Sequence, residues 1–323
     1  MFQQFDFREN DPYTWYLDAR TRIDSQPNEL QHKLGLEFIT YPTGEAGLRI
    51  LKPNGAIVKN LIVLFQDNAA SRLYELALLR DAIRWTCEPE QYLTLRLPYV
   101  PCTRSDRQMT PGEGCGILTY SKILNSLNFD RVEVLDLHSN VSKLLINGVQ
   151  EYTQENVLSM ASLPPYGGLA YHKYVWVAPD AGAAKKIFTL ARNLEFKGPI
   201  VTAYKDRDPS TGVIDHSKTK LDTASLQASV SSVLSDGKFL IIDDICSKGG
   251  TFKGIAAALK VIGAREIVLV TSHNEGTMNQ AEMLAAGIDR CISTDSMAAP
   301  YFLQEGNLSY PYLTRIPVYG YYK

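Results

Sequence analysis

Lys238-Phe-Leu-Ile-Ile-Asp-Asp-Ile-Cys-Ser-Lys-Gly-Gly-Thr-Phe-Lys-Gly-Ile-Ala-Ala-Ala-Leu-Lys260 is the stretch from which the fold can be read. Phe239 to Ile242 is a short apolar run that predicts a strand buried on both faces. Asp243 and Asp244 follow at once. Gly249-Gly250-Thr251 then opens a segment rich in Ala, Leu and Lys, Phe252 to Ile262, that predicts a helix. Acids and glycines thus fall at the carboxyl edge of a sheet, where open α/β folds bind ligands. The free N–H groups of a helix start suit a phosphate, and the acids suit sugar hydroxyls or Mg²⁺. Taken alone, the same residues also fit a buried strand that ends in a solvated acid pair.

Working outward, strand and helix signals alternate. The spacing predicts strands over 60–65, 92–97, 131–137, 174–178, 199–203, 266–271 and 291–293. Helices are expected over 72–85, 117–127, 183–194 and 277–286. Residues 37–50 read as two strand pieces around Pro42-Thr43-Gly44, and residues 1–35 carry no assignable period. Pro98 to Gly116 is a long loop, and Tyr204 to Leu221 reads as a mobile polar loop. The turn-rich stretch from about 150 to 172 marks a boundary between domains at 1–150 and 151–323. Each half alternates strand and helix, which implies a mainly parallel sheet with helices on both faces and a duplicated domain.

Composition narrows the classes of function. The chain has 323 residues, 45% hydrophobic and 21% charged, with a formal net charge of -2. That is a globular chain long enough for two domains, without the basic surface nucleic acid demands. Five cysteines without Cys-x-x-Cys spacing argue against zinc or a disulfide framework and fit a reducing cytosol. The amino terminus lacks a signal-like apolar core and no stretch approaches a membrane span, so a cytoplasmic protein is expected.

Five motifs in order resemble ribose-phosphate diphosphokinase, also called phosphoribosyl pyrophosphate synthetase, a family of two tandem type I phosphoribosyltransferase-like domains. They are Tyr41-Pro-Thr-Gly-Glu45, Tyr99 through Arg107, Val134-Leu-Asp-Leu-His138, Ala178-Pro-Asp-Ala-Gly182, and Ile242-Asp-Asp with Gly249-Gly-Thr251. The resemblance implies transfer of the β,γ-diphosphate of ATP to the C1 hydroxyl of ribose 5-phosphate with Mg²⁺, supplying nucleotide and NAD synthesis.

It also implies roles. Arg104, Asp106 and Arg107 would face the ATP polyphosphate, and paired guanidiniums suit phosphate. His138 and Asp180 would lie at the metal, Mg²⁺ needing few protein ligands beside phosphate oxygens. Lys205 and Arg207 would close over the transferring group. Tyr41, Thr43 and Glu45 would reach the ATP site of a neighbouring subunit, which implies a homo-oligomer, dimer or hexamer. Asp243 and Asp244 would hold ribose hydroxyls, and Ser247, Lys248, Gly249, Gly250 and Thr251 the 5-phosphate. Here the chain departs from the family, with Ser247 and Lys248 in place of an acid and a threonine. A more cationic pocket would suit more anionic charge on the 5′ side, and ADP-ribose is one such acceptor. A phosphoribosyltransferase or a silent regulatory partner of a synthetase remain alternative readings.

Overall fold

The computed structural model describes residues 11, 13–20, 32–87, 90–207, 214–222, 236–297 and 312–318, with the main chain alone at 205–207 and 214–218. The chain forms two compact units, the first over Met1–Tyr152 with short pieces from 296–298 and 318–323, the second over Thr153–Asp295 with 299–317.

The first unit runs β1 (Thr14–Ala19), β2 (Lys33–Thr40), β3 (Ala46–Leu51), β4 (Asn60–Phe65), α1 (Leu73–Thr86), β5 (Tyr92–Arg96), α2 (Gly116–Ser126), β6 (Arg131–Leu135), α3 (Asn140–Leu145) and β7 (Val149–Tyr152). The second runs α4 (Gln154–Ala161), β8 (Val175–Ala178), α5 (Ala181–Asn193), β9 (Ile200–Arg207), β10 (Ile214–Leu221), β11 (Lys238–Cys246), α6 (Gly250–Val261), β12 (Glu266–Asn274), α7 (Gln280–Ala285), β13 (Arg290–Thr294) and β14 (Leu313–Ile316).

The two sheets have the orders β3-β2-β1-β4-β5-β6-β7 and β10-β9-β8-β11-β12-β13-β14. Adding seven to each strand of the first gives the second. In both, every neighbouring pair is parallel except the hairpin at one edge, β2–β3 and β9–β10. This repetition is a duplication written in topology. Strand order reverses between β1 and β4 and again between β8 and β11, and ligands bind at such switch points.

Alternation of side chains along the strands builds the cores. Leu61, Val63, Leu93, Leu95, Val132 and Val134 share one face with Leu76, Leu79 and Ile83 of α1 and Ile117, Tyr120 and Leu124 of α2. In the second unit Val175, Val177, Phe239, Ile241, Ile267 and Leu269 meet Phe252, Ile255 and Leu259 of α6 and Met283 of α7. The opposite face of that sheet is covered too, α4 lying on β12, β13 and β14 and α5 on β8 and β9. Helices therefore cover both faces of the second sheet, while α1 and α2 fill one face of the first.

Several local expectations are corrected. The polar stretch Tyr204 to Leu221 is largely a β-hairpin, because its cross-strand partners give an edge strand a ladder that its composition does not advertise. The boundary region 150–172 contains α4, an eight-residue helix whose Thr153 N–H donates to the Asn156 side chain at 3.0 Å. The helix expected over 277–286 begins only at Gln280, since Asn279 caps it through a 3.1 Å bond from the Glu282 N–H. Strand β1 lies in the segment whose sequence shows no period. Most consequentially, β11 runs through Asp243 and Asp244 to Cys246, held by β12 as far as the Cys246–Asn274 pair. Among the described residues no helix is long and apolar enough to cross a membrane.

Candidate active site

In the second unit the switch point gathers three acids. Partnering between β8 and β11 ends at Val177 opposite Ile241, so Asp243 projects beyond the paired part on that side. Its Oδ1 accepts the Asp244 N–H at 2.9 Å. Desolvation, and then the charges of Asp244 and Asp180, push the Asp243 carboxyl well above the ordinary carboxylate range. Asp180 follows β8 as the N-cap of α5, its Oδ1 taking the Ala183 N–H at 2.9 Å. The small residue at 182 leaves room for this carboxylate, since a Cβ there would stand 3.2 Å from Oδ1. Asp180 thus does structural work as well as placing charge beside Asp243.

The glycine turn sits above α6. Gly249 is the N-cap at φ 75° and ψ 11°, a left-handed geometry that favours glycine. The N–H groups at the start of this twelve-residue helix, with no intrahelical acceptors, form a cradle suited to a phosphate. Ser247 Oγ lies 3.4 Å from Thr277 Oγ1, and Lys248 is exposed beside them. Thr277 was not legible as part of the site, because its contact spans 30 residues.

In the first unit the long loop after β5 and the turn after β6 come together. Ser139 is the link: its Oγ accepts the Val141 N–H at 3.2 Å at the start of α3, and its hydroxyl bonds to Asp106. That bond, with Arg107 Nε 3.1 Å from Asp106 Oδ1 and His138 nearby, holds the Asp106 carboxyl below its ordinary value. Asp106 therefore ties the loop to the turn, a role its place in the motif does not announce. Arg107 is largely exposed, and Arg104 and His138 also reach the surface. His138 is carried out by Asp136, whose φ of 45° bends the chain after β6 and whose N–H donates to the Tyr152 carbonyl at 2.7 Å. Beyond Arg107 the loop closes on itself, Glu113 accepting the Met109 and Thr110 N–H groups at 2.8 and 3.1 Å.

Tyr41 through Glu45 form the tip of the β2–β3 hairpin, closed by Tyr41 N to Glu45 O at 2.9 Å and Thr43 Oγ1 to Glu45 Oε2 at 3.1 Å. All are exposed. Lys205 and Arg207 lie in the topologically equivalent hairpin of the second unit, their main chains opposite Thr219 and Ile214; their side chains lie outside the described residues. His138 belongs to the first unit and Asp180 to the second. Among the described residues no three His, Cys, Asp or Glu side chains form a metal-binding group. Crowding of Asp180, Asp243 and Asp244 nonetheless fits a hard cation that takes one or two carboxylates and completes its shell with phosphate oxygens and water.

A model of the phosphoribosyl transferase domain matches residues 166–302, which contain the acid pair and the glycine turn. The ribose-phosphate pyrophosphokinase of Pyrococcus furiosus is 26% identical over 266 residues, 82% of this chain and 87% of that protein. That of Aeropyrum pernix is 24% identical over 279 residues, 83% of this chain and 84% of that protein. The chain is a relative of the ribose-phosphate pyrophosphokinases. The crystal structure of phosphoribosylpyrophosphate synthetase from Mycobacterium smegmatis superposes with a TM-score of 0.70 at 19% identity, covering 94% of both chains, which establishes the shared two-sheet fold of this pyrophosphokinase relative.

Proposed function

We propose that this pyrophosphokinase relative transfers the β,γ-diphosphate of ATP to the C1 hydroxyl of ribose 5-phosphate, giving phosphoribosyl pyrophosphate and AMP. The C1 oxygen bonds to the β-phosphorus as the bond from that phosphorus to the α,β-bridging oxygen breaks, AMP leaves with the electron pair, and the hydroxyl proton passes to solvent. One observation carries the reading. The named pyrophosphokinases align with 82% and 83% of the chain, more than either unit holds, whereas a phosphoribosyltransferase would need only the second.

In this reading Asp243 and Asp244 orient the ribose hydroxyls, and the Gly249, Gly250 and Thr251 N–H groups bind the 5-phosphate. Arg104, Arg107 and His138 orient the ATP polyphosphate, while Lys205 and Arg207 face the transferring group. Phosphoryl transfer asks little covalent chemistry of the protein, so fixed cations supply much of the rate. Mg²⁺ would neutralise phosphate charge; Asp180 of the second unit is a candidate to hold it there, and His138 of the first unit a candidate to face the nucleotide phosphates. The exposed Tyr41–Glu45 tip suits insertion into the ATP site of a second copy, in a dimer or hexamer.

A second acceptor is favoured by one local observation. Ser247 and Thr277 place two hydroxyls together beside exposed Lys248, where the resemblance implies an acid at 247 and a threonine at 248 in the family. Exchanging an acid for serine and adding lysine makes the turn more cationic by about two charges. ADP-ribose, whose 5′-phosphate belongs to a diphosphate, suits such a turn and offers the same C1 hydroxyl, giving ADP-ribose pyrophosphate. The test is AMP release from Mg²⁺-ATP with each sugar in parallel. A higher kcat/KM for ribose 5-phosphate supports the first acceptor and sinks the second; the reverse makes ADP-ribose the substrate. With neither sugar active, the catalytic reading fails and a regulatory partner of a synthetase takes its place.

A further inference from the structure

We propose that Gln154 is a positioning residue for the ribose half of the site, an inference that rests on the reading of Asp243 and Asp244 as the sugar-binding acids. Gln154 is the first residue of α4, and it is 2% exposed. Its Nε2 donates to the Asp243 main-chain carbonyl at 2.5 Å, across 89 residues of sequence. Its Oε1 is buried and has no hydrogen-bond partner among the described residues. Burying a carboxamide with one end unsatisfied costs free energy. Packing gives no reason to accept that cost, since an apolar side chain of similar length would fill the same space.

The location supplies a reason. Asp243 lies past the last β8–β11 partners, Val177 and Ile241, so on that side no strand supports the main chain at the acid pair. Gln154 supplies a donor there. Its own position is set independently, because Asn156 pins the start of α4 through the Thr153 N–H at 3.0 Å. A fixed helix end therefore sets the Asp243 carbonyl, and through it the direction of the adjoining carboxyl groups. Gln154 also stands two residues after Tyr152, whose carbonyl accepts the Asp136 N–H at 2.7 Å beneath the turn that carries His138. Along the chain, the anchor of the His138 turn and the anchor of Asp243 are separated by Thr153 alone.

The experiment compares full-length wild-type protein with Gln154→Met, which keeps length and burial but removes the donor, and with Gln154→Glu, which keeps the shape and sets an acceptor against the Asp243 carbonyl. Ribose 5-phosphate and ADP-ribose binding are measured by calorimetry with Mg²⁺ present. Steady-state KM for sugar and for ATP are measured separately, and thermal melting reports folding. The expected result for Gln154→Met is sugar affinity weakened about fivefold, the scale of one lost hydrogen bond, with KM for ATP unchanged and the melting transition intact. Gln154→Glu weakens sugar binding further, since two acceptors then face each other at the Asp243 carbonyl. Sugar affinity within twofold of wild type in Gln154→Met, while Asp243→Asn loses it, overturns the role of Gln154 alone. Equal losses for sugar and ATP reduce Gln154 to a structural residue and overturn the proposal. Wild-type protein that binds neither sugar, or Asp243→Asn that binds sugar normally, overturns the reading of the acid pair and this assignment with it.

Discussion

Gly249 rests on the thioether of Met283, so closely that a Cβ at residue 249 would stand 2.5 Å from Sδ. The glycine turn is thereby moulded on α7 as well as on its own helix. Gly249→Ala adds an overpacked contact and a left-handed alanine, together costing about 2 to 4 kcal/mol. Met283→Ala in the same chain relieves the contact and leaves the backbone strain. Urea denaturation should show the double variant less stable than wild type, and sugar-phosphate affinity should stay weak in both variants.

Asp243 should trade stability for binding. Its carboxyl is raised in the folded state by burial and by Asp244, so the folded chain binds its proton more tightly than the unfolded chain. Stability from this group is present below the unfolded value, about pH 4, and is lost as pH rises from there toward the folded value. Asp243→Asn is expected to melt higher than wild type at pH 8 and with little difference at pH 4, while losing sugar binding. An equal melting temperature at both pH values would show that neither burial nor the neighbouring acids raise this carboxyl.

Asp106 carries the opposite sign. Its carboxyl is depressed, first by Ser139, so the stability it contributes is present above about pH 4 and is lost as pH falls through the lower folded value. Ser139→Ala removes both that bond and the cap on the Val141 N–H. The expectation is a cost of about 1 kcal/mol from the cap and a several-fold rise in KM for ATP, with sugar affinity unchanged in calorimetry.

Arg72 closes the switch point of the first unit. Its guanidinium reaches the Ala19, Arg20 and Gln66 carbonyls at 3.0, 2.8 and 2.6 Å, pairs with Glu75 at 2.9 Å, and stacks over Phe65. Where the second unit keeps a crevice edged by acids, the first is tied shut across β1 and β4. Arg72→Leu takes the guanidinium from the buried Glu75 and from three carbonyls, and should cost about 3 to 5 kcal/mol. Arg72→Lys recovers little of that, because one ammonium cannot reproduce a planar fork. Chemical denaturation measures both; a loss under 1 kcal/mol in Arg72→Leu would refute the clamp.

Lys205→Ala should lower kcat about 100- to 1,000-fold with little change in sugar affinity, read from single-turnover AMP release. Unchanged turnover would remove the β9–β10 hairpin from the chemistry.

Much was legible in the residues alone. Runs such as Asn60–Phe65 and Lys238–Ile242 are apolar without alternation, and that pattern is forced on any strand buried between helix layers. Gly249-Gly250-Thr251 marks a helix start because the left-handed geometry at Gly249 favours glycine, although the strand before it runs on past the acid pair to Cys246. Local chemistry of this kind determined the α/β class, the duplication and the glycine turn that opens α6. The hairpin β9–β10, the helix α4, the plug at Arg72 and the contacts Ser139–Asp106, Gly249–Met283 and Gln154–Asp243 were decided only in three dimensions. Each joins residues whose own neighbours in sequence give no reason for the pairing. A polar edge strand needs a partner before it is a strand, and a buried carboxamide shows its purpose only when the carbonyl it meets, 89 residues away, is in place.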